Sequence, residues 1–225
     1  MKTWIQILAI GSIFSVSIAA AANEPPHGTV NPLFEIYGTA VRDAKWESNS
    51  IPVCWEETGD ENHAFRLLTQ TAIANTWEAS SSVRFTGWLP CEDKSKGIRI
   101  LVEDRGPRVE VLGRYLANRP NGMVLNFTFR AVHCREVIEE CVKKTAVHEF
   151  GHALGLAHEH NRTDTPTECK DEVAGSLDYI RGDWNLTKYD PDSIMNYCTQ
   201  PWLGSGTLTG KDIEAINKLY ATTTS

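Results

Sequence analysis

The chain has 225 residues, 29 acidic against 22 basic, and a formal charge of −7. With no basic run longer than Lys143-Lys144, nucleic acid and anionic membrane surfaces are excluded as expected partners. At 41% hydrophobic residues, a chain of this size can bury a proper core, as one domain with at most two lobes around a cleft.

Lys2, followed by an apolar run from Ile5 that closes on Ala20, Ala21 and Ala22, predicts a secretory signal peptide over residues 1–22. No further membrane-spanning stretch follows, so no membrane association is expected after cleavage. Residues 23–45 carry Pro25, Pro26, Gly28, Pro32 and Gly38 with little periodicity and read as an arm or short pro-segment. The folded domain is expected over residues 46–225. Ile51 to Trp55 reads as a strand, and Asn62 to Ala79 places Phe65, Leu68, Ala72, Ile73 and Trp77 on one helical stripe. Val83 to Trp88, Gly97 to Val102, Val109 to Leu116 and Met123 to Phe129 are four further expected strands, separated by Gly-Pro and Asn-Gly turns. A helix then carries Ala146, Val147, Phe150, Ala153 and Leu154 on its apolar face. Asn161 to Asp192 is irregular and polar, and Gly210 to Tyr220 is a closing helix with Ile213, Ile216, Leu219 and Tyr220 buried.

Six cysteines in an exported chain suggest up to three disulfides, with fifteen connectivities open. Pairing by proximity along the chain gives Cys54 with Cys91, Cys134 with Cys141, and Cys169 with Cys198. An oxidising location, extracellular or periplasmic, is expected.

The segment HEFGHALGLAH, residues 148–158, concentrates three imidazoles and a carboxylate at fixed offsets. His148 and His152 lie one turn apart on one helical face, and Glu149 stands beside the first of them. A catalytic zinc takes three protein ligands and leaves one position to water. A helix continued to His158 would carry it about 15 Å along the axis from His148. Gly155 tolerates positive φ and lets the chain turn back, so that His158 becomes the third ligand. In this composition an accidental HExxH has odds of roughly two in a hundred, and adding Gly155 and His158 lowers them to about one in ten thousand. His27, His63, His133 and His160 lack comparable partners in the sequence and read as bystanders.

At HEFGHALGLAHEHNRTD (148–164) and YDPDSIMNY (189–197) the chain resembles the metzincins, zinc endopeptidases with HExxHxxGxxH and a Met-turn, and within them the astacin family. The resemblance implies an α+β, zincin-like fold: a mixed five-stranded twisted sheet, two long helices above a cleft, and an irregular C-terminal lobe ending in a helix. It further implies zinc on His148, His152 and His158, Glu149 as general base and acid, Met195 as the hydrophobic floor, and Tyr197 near the metal. Glu159 would receive a freed N-terminus, from a cut near Gly38 to Val41, or pair with a local cation such as Arg162. No FxGD segment and no PRCGxPD cysteine switch precedes residue 46.

The implied activity is that of a secreted, monomeric endopeptidase that hydrolyses protein or peptide substrates, with Glu149 activating a zinc-bound water. Val109 to Tyr115 is the candidate edge strand for an extended substrate. Two alternatives are a zinc hydrolase acting on a cell-wall peptide and a non-catalytic secreted zinc-binding protein. The presence of Glu149 beside all three histidines argues against the second.

Overall fold

The computed structural model describes residues 40–130, 134, 137–172, 183–198 and 206–221. The expected signal peptide, most of the arm, His27 and His133 lie outside them. Five strands form a sheet: β1 (Ser50–Trp55), β2 (Arg84–Pro90), β3 (Ile98–Val102), β4 (Arg108–Val109) and β5 (Met123–Leu125). Their order is β2-β1-β3-β5-β4. All neighbours run parallel except β4, which pairs antiparallel with β5 at one edge.

The helices are α1 (His63–Ile73), α2 (Ile138–Ala153), α3 (Thr167–Glu172) and α4 (Gly210–Leu219). α1 runs on through a π-helical segment, Ala74–Glu78, which keeps Trp77 fully buried and directs its indole N–H to the Val147 carbonyl of α2. The face of α2 that packs on the sheet is aromatic at its centre. Phe150 meets Phe85 edge-on at 4.8 Å and Trp88 in a stack at 5.6 Å, contacts that add about 1 kcal/mol each to simple burial. Among the described residues no helix is long and apolar enough to cross a membrane.

Burial alternates over the first residues of β1 and β2, while β3 begins with three consecutive buried residues and β5 is buried throughout, and two of the expected strands end early. Val109 to Leu116 is not one strand. Pairing stops at Val109, and Gly113–Leu116 forms a 3-10 turn. The cause is a close approach: Gly113 takes φ +54°, and a Cβ there would stand 1.9 Å from the Ala44 carbonyl oxygen. The predicted substrate edge therefore shrinks to Arg108–Val109. The fifth strand stops at Leu125 because the buried Asn126 carboxamide takes over the backbone beyond it, accepting from the Thr128 and Phe129 N–H groups. Asp60–Asn62 forms a 3-10 turn just ahead of α1, and α3 adds a short helix to the segment expected to be irregular.

The last residues assigned to the arm belong to the packed domain. Ala40 and Ala44 are fully buried, and Ala40 bridges Leu156 and Trp184. The disulfides are Cys54–Cys91, Cys134–Cys141 and Cys169–Cys198, the pairing by chain proximity. The first, spanning 37 positions, removes on the order of 4 kcal/mol of unfolded-chain entropy in the loop-closure picture.

Candidate metal centre

α2 ends where the sequence placed its stop. Gly155 has φ +98°, the Gly155 N–H donates to the His152 carbonyl and the Leu156 N–H to the Gly151 carbonyl, the paired bonds of a Schellman end. A Cβ on Gly155 would meet only ordinary contacts with Ala44, so backbone conformation, not space, demands glycine here. The remaining carbonyls of this helix end are covered from a distance. Trp46 donates its indole N–H to Ala153, the Tyr220 hydroxyl donates to Leu154, and the Val41 N–H to Gly155. A helix terminus buried without such donors would be costly.

The reversed chain brings His158 back over α2. Its Nε2 lies 2.9 Å from His148 Nε2 and 2.9 Å from His152 Nε2, and the three residues form the one group of potential metal ligands found among the described residues. The outer nitrogens of the first two are engaged: His148 Nδ1 with the Ile194 carbonyl at 2.7 Å, His152 Nδ1 with the Leu156 carbonyl at 2.8 Å. A carbonyl only accepts, so these Nδ1 atoms carry the protons and both Nε2 atoms present bare lone pairs.

Burial pushes all three imidazoles toward the neutral form, His152 to about 4 and the others well below their usual value. Crowding by the neighbouring rings adds to this at His148 and His158. Bare lone pairs that face one another without protons repel unless a cation stands between them. The donor set therefore fits a zinc-type ion, for which three neutral imidazoles are suited ligands.

Glu149 is 3% exposed and packs beside Arg108 and Val109 of β4. Burial pushes its carboxyl up to about 8, opposed in part by the Arg108 charge and the Val109 N–H. Its Oε2 has no hydrogen-bond partner among the described residues. Met195, 2% exposed, lies under α2 with its sulfur against Gly151, where a Cβ would stand 2.4 Å from it. That contact explains the glycine at 151. Tyr197 Oη stands 3.0 Å from His148 Nε2, and its ring stacks on the His148 imidazole at 5.0 Å. Burial raises the phenol pKa.

Glu159 does not point with the histidines. Its carboxylate accepts the Asp190 N–H at 2.7 Å, lies 3.6 Å from Arg162 Nε and borders a cavity of about 10 Å³, room for about one water. Burial pushes it up to about 7, with Arg162 pulling the other way. Arg162 itself forks onto Asp164. The amides of Ala40 and Val41 are taken by the Trp184 and Gly155 carbonyls.

One residue of this site escaped the sequence reading. His160 is 2% exposed, not a bystander, and stacks on both His158 (4.8 Å) and Tyr197 (5.2 Å). The sequence carried no local signal for it: the chain is extended at His158 and turns into a 3-10 helix over Glu159–Asn161, and that change of backbone brings the His160 ring against His158. His63 is exposed, as expected.

The profile of the peptidase family described as Astacin matches residues 38–170. Zinc metalloproteinase nas-20 of Caenorhabditis elegans is 32% identical over 90 residues, 34% of this chain and 24% of that protein, so the match spans about a quarter of that relative's length. Two solved structures of myroilysin share the fold. One has a TM-score of 0.58 at 20% identity, covering 82% of this chain and 99% of that one. The other has 0.53 at 19%, covering 84% and 93%. The profile match takes in the sheet, α1, α2 and all three histidines, and on it the chain belongs to the astacin family of peptidases.

Proposed function

We propose that the chain is a secreted zinc endopeptidase that cuts peptide bonds in proteins, with His148, His152 and His158 as the metal ligands and Glu149 as general base and acid. The observation that carries this reading is a cluster of three buried, neutral imidazoles on and beside the helix turn that holds a buried carboxylate, whose Oε2 lacks a partner among the described residues. Zinc, when bound, supplies a Lewis acid that acidifies water and polarises a carbonyl, and its charge favours the ionised form of Glu149. Glu149 Oε2 accepts the proton of the attacking water and then delivers it to the leaving amine.

Tyr197, placed 3.0 Å from a ligand nitrogen and protonated in its buried setting, donates to the oxyanion that develops at the scissile carbonyl. Met195 closes the floor, and its contact with Gly151 excludes water from beneath the ligands. The substrate strand adds at β4, the antiparallel edge nearest Glu149. Three disulfides support export into an oxidising compartment.

The test is Glu149→Ala. It is expected to keep one zinc per chain while cleavage of a denatured protein falls by about 10³-fold or more. Unchanged cleavage removes Glu149 from the chemistry. A chelator-controlled peptide library read by mass spectrometry then gives the cleavage preference.

A further inference from the structure

His160 is a buried imidazole that none of the steps above uses. Its Nδ1 accepts the Tyr197 backbone N–H at 3.4 Å. The proton is therefore on Nε2, which is buried without a partner among the described residues. Leaving such a donor unmet costs about 1–3 kcal/mol, and an apolar residue of the same shape would avoid the cost. The imidazole must do something that an aliphatic side chain cannot.

The ring contacts show what that is. His160 lies near-parallel to Tyr197 (25°) and to His158 (21°), while Tyr197 also lies near-parallel to His148 (18°). His158 and Tyr197 touch each other at 4.5 Å. His160 thus contacts the third metal ligand and the tyrosine at once, and it anchors the tyrosine's backbone. On the other flank Met195 is tied by its carbonyl to the Glu159 N–H, and Cys198 by its disulfide to Cys169. The backbone on both sides of Tyr197 is fixed, so the freedom left is that of the phenol side chain. The His160 ring is the plate against which that side chain rests.

We infer that His160 is a positioning residue that holds the Tyr197 phenol at the metal-facing nitrogen of His148 and keeps it in register with His158. This rests on the proposed role of Tyr197. The contribution is steric and orientational, so it acts on turnover through the tyrosine and not on the number of metal ions bound.

The experiment is a mutant cycle with a spectroscopic arm. His160→Leu is expected to lower kcat about 10-fold with KM and zinc content unchanged, and to change it less than about 2-fold when Tyr197 is already Phe. His160→Phe, which keeps the plate but not the acceptor, is expected to fall between Leu and wild type. It also serves as the test variant if the leucine protein does not fold. Copper(II), a strong Lewis acid, would take the neighbouring Tyr197 phenol as a bound phenolate with a visible charge-transfer band, which His160→Leu is expected to shift or bleach at equal copper content.

Equal losses in the Tyr197 and Tyr197→Phe backgrounds overturn the proposal. So does a leucine variant with wild-type turnover and band. A wild-type copper protein with no band overturns the placement of the phenol at the metal-facing nitrogen of His148, and the proposal with it.

Discussion

The candidate metal centre is built from two regions held in different ways. The upper half, His148 to His152, sits on a regular helix fixed by its own backbone ladder and by aromatic packing on the sheet. The lower half, Tyr189 to Cys198, has no regular structure. Side chains hold it instead. Ser193 Oγ donates to Asp212 at 2.6 Å, the Ile194 N–H donates to the same carboxylate, and the Asn196 carboxamide donates to Tyr189 Oη and to the Asp190 and Pro191 carbonyls. The halves meet where the Ile194 carbonyl accepts from His148 Nδ1. The helix half therefore fails by wrong packing, and the turn half by stranded polar groups.

Asp212→Ala attacks the turn half alone. It strands the Ser193 hydroxyl and the Ile194 N–H and removes the reciprocal cap of α4 with Thr209. The expected loss is about 3 kcal/mol of stability by denaturant melt, together with weaker zinc retention as His148 loses its orienting carbonyl. Retained stability would show that the turn stands without its carboxylate.

Gly151→Ala strikes the seam. The new methyl must displace the Met195 sulfur, an overpacking cost of about 1–3 kcal/mol, partly offset by alanine's better helix propensity, worth about 1 kcal/mol. A faster zinc off-rate in a chelator competition is the expected signature. An unchanged off-rate would separate the methionine floor from the ligands.

The smallest effect comes from a site remote from both halves, which serves as a control. Arg99 grips Glu56 with two bonds of 2.8 Å and, as the largest cause, holds its carboxyl below the usual range. A depressed folded pKa contributes stability that is present above the unfolded value of 4.5 and is lost as pH falls through the folded value. Glu56→Gln should flatten the acid limb of stability below pH 4.5 and leave zinc content alone. An acid limb identical to wild type contradicts the pairing.

This contrast also explains what the sequence disclosed. The helix half was legible because its information is local: period, ligand spacing and the glycine stop all fall between 146 and 158. Strands β1 to β3 were legible for the same reason. The turn half depends on Asp212, 19 residues from Ser193, a partnership no periodicity records. Its Met-Tyr signature was visible only through family resemblance. The false strand over 109–116 arose because Gly113 answers to Ala44, 69 residues earlier by the chain numbering. His160 was missed because its place depends on the 3-10 turn over Glu159–Asn161 and on Tyr197, 37 residues on, neither of which the histidine motif records.

The central claim is that three imidazoles share one ion. Zinc-edge X-ray absorption on the purified, disulfide-intact protein, alongside metal analysis, tests it most directly. One zinc per chain with three imidazole nitrogens and oxygen completing the shell is predicted. A protein with no stoichiometric metal, or a shell with fewer than three imidazoles, contradicts it.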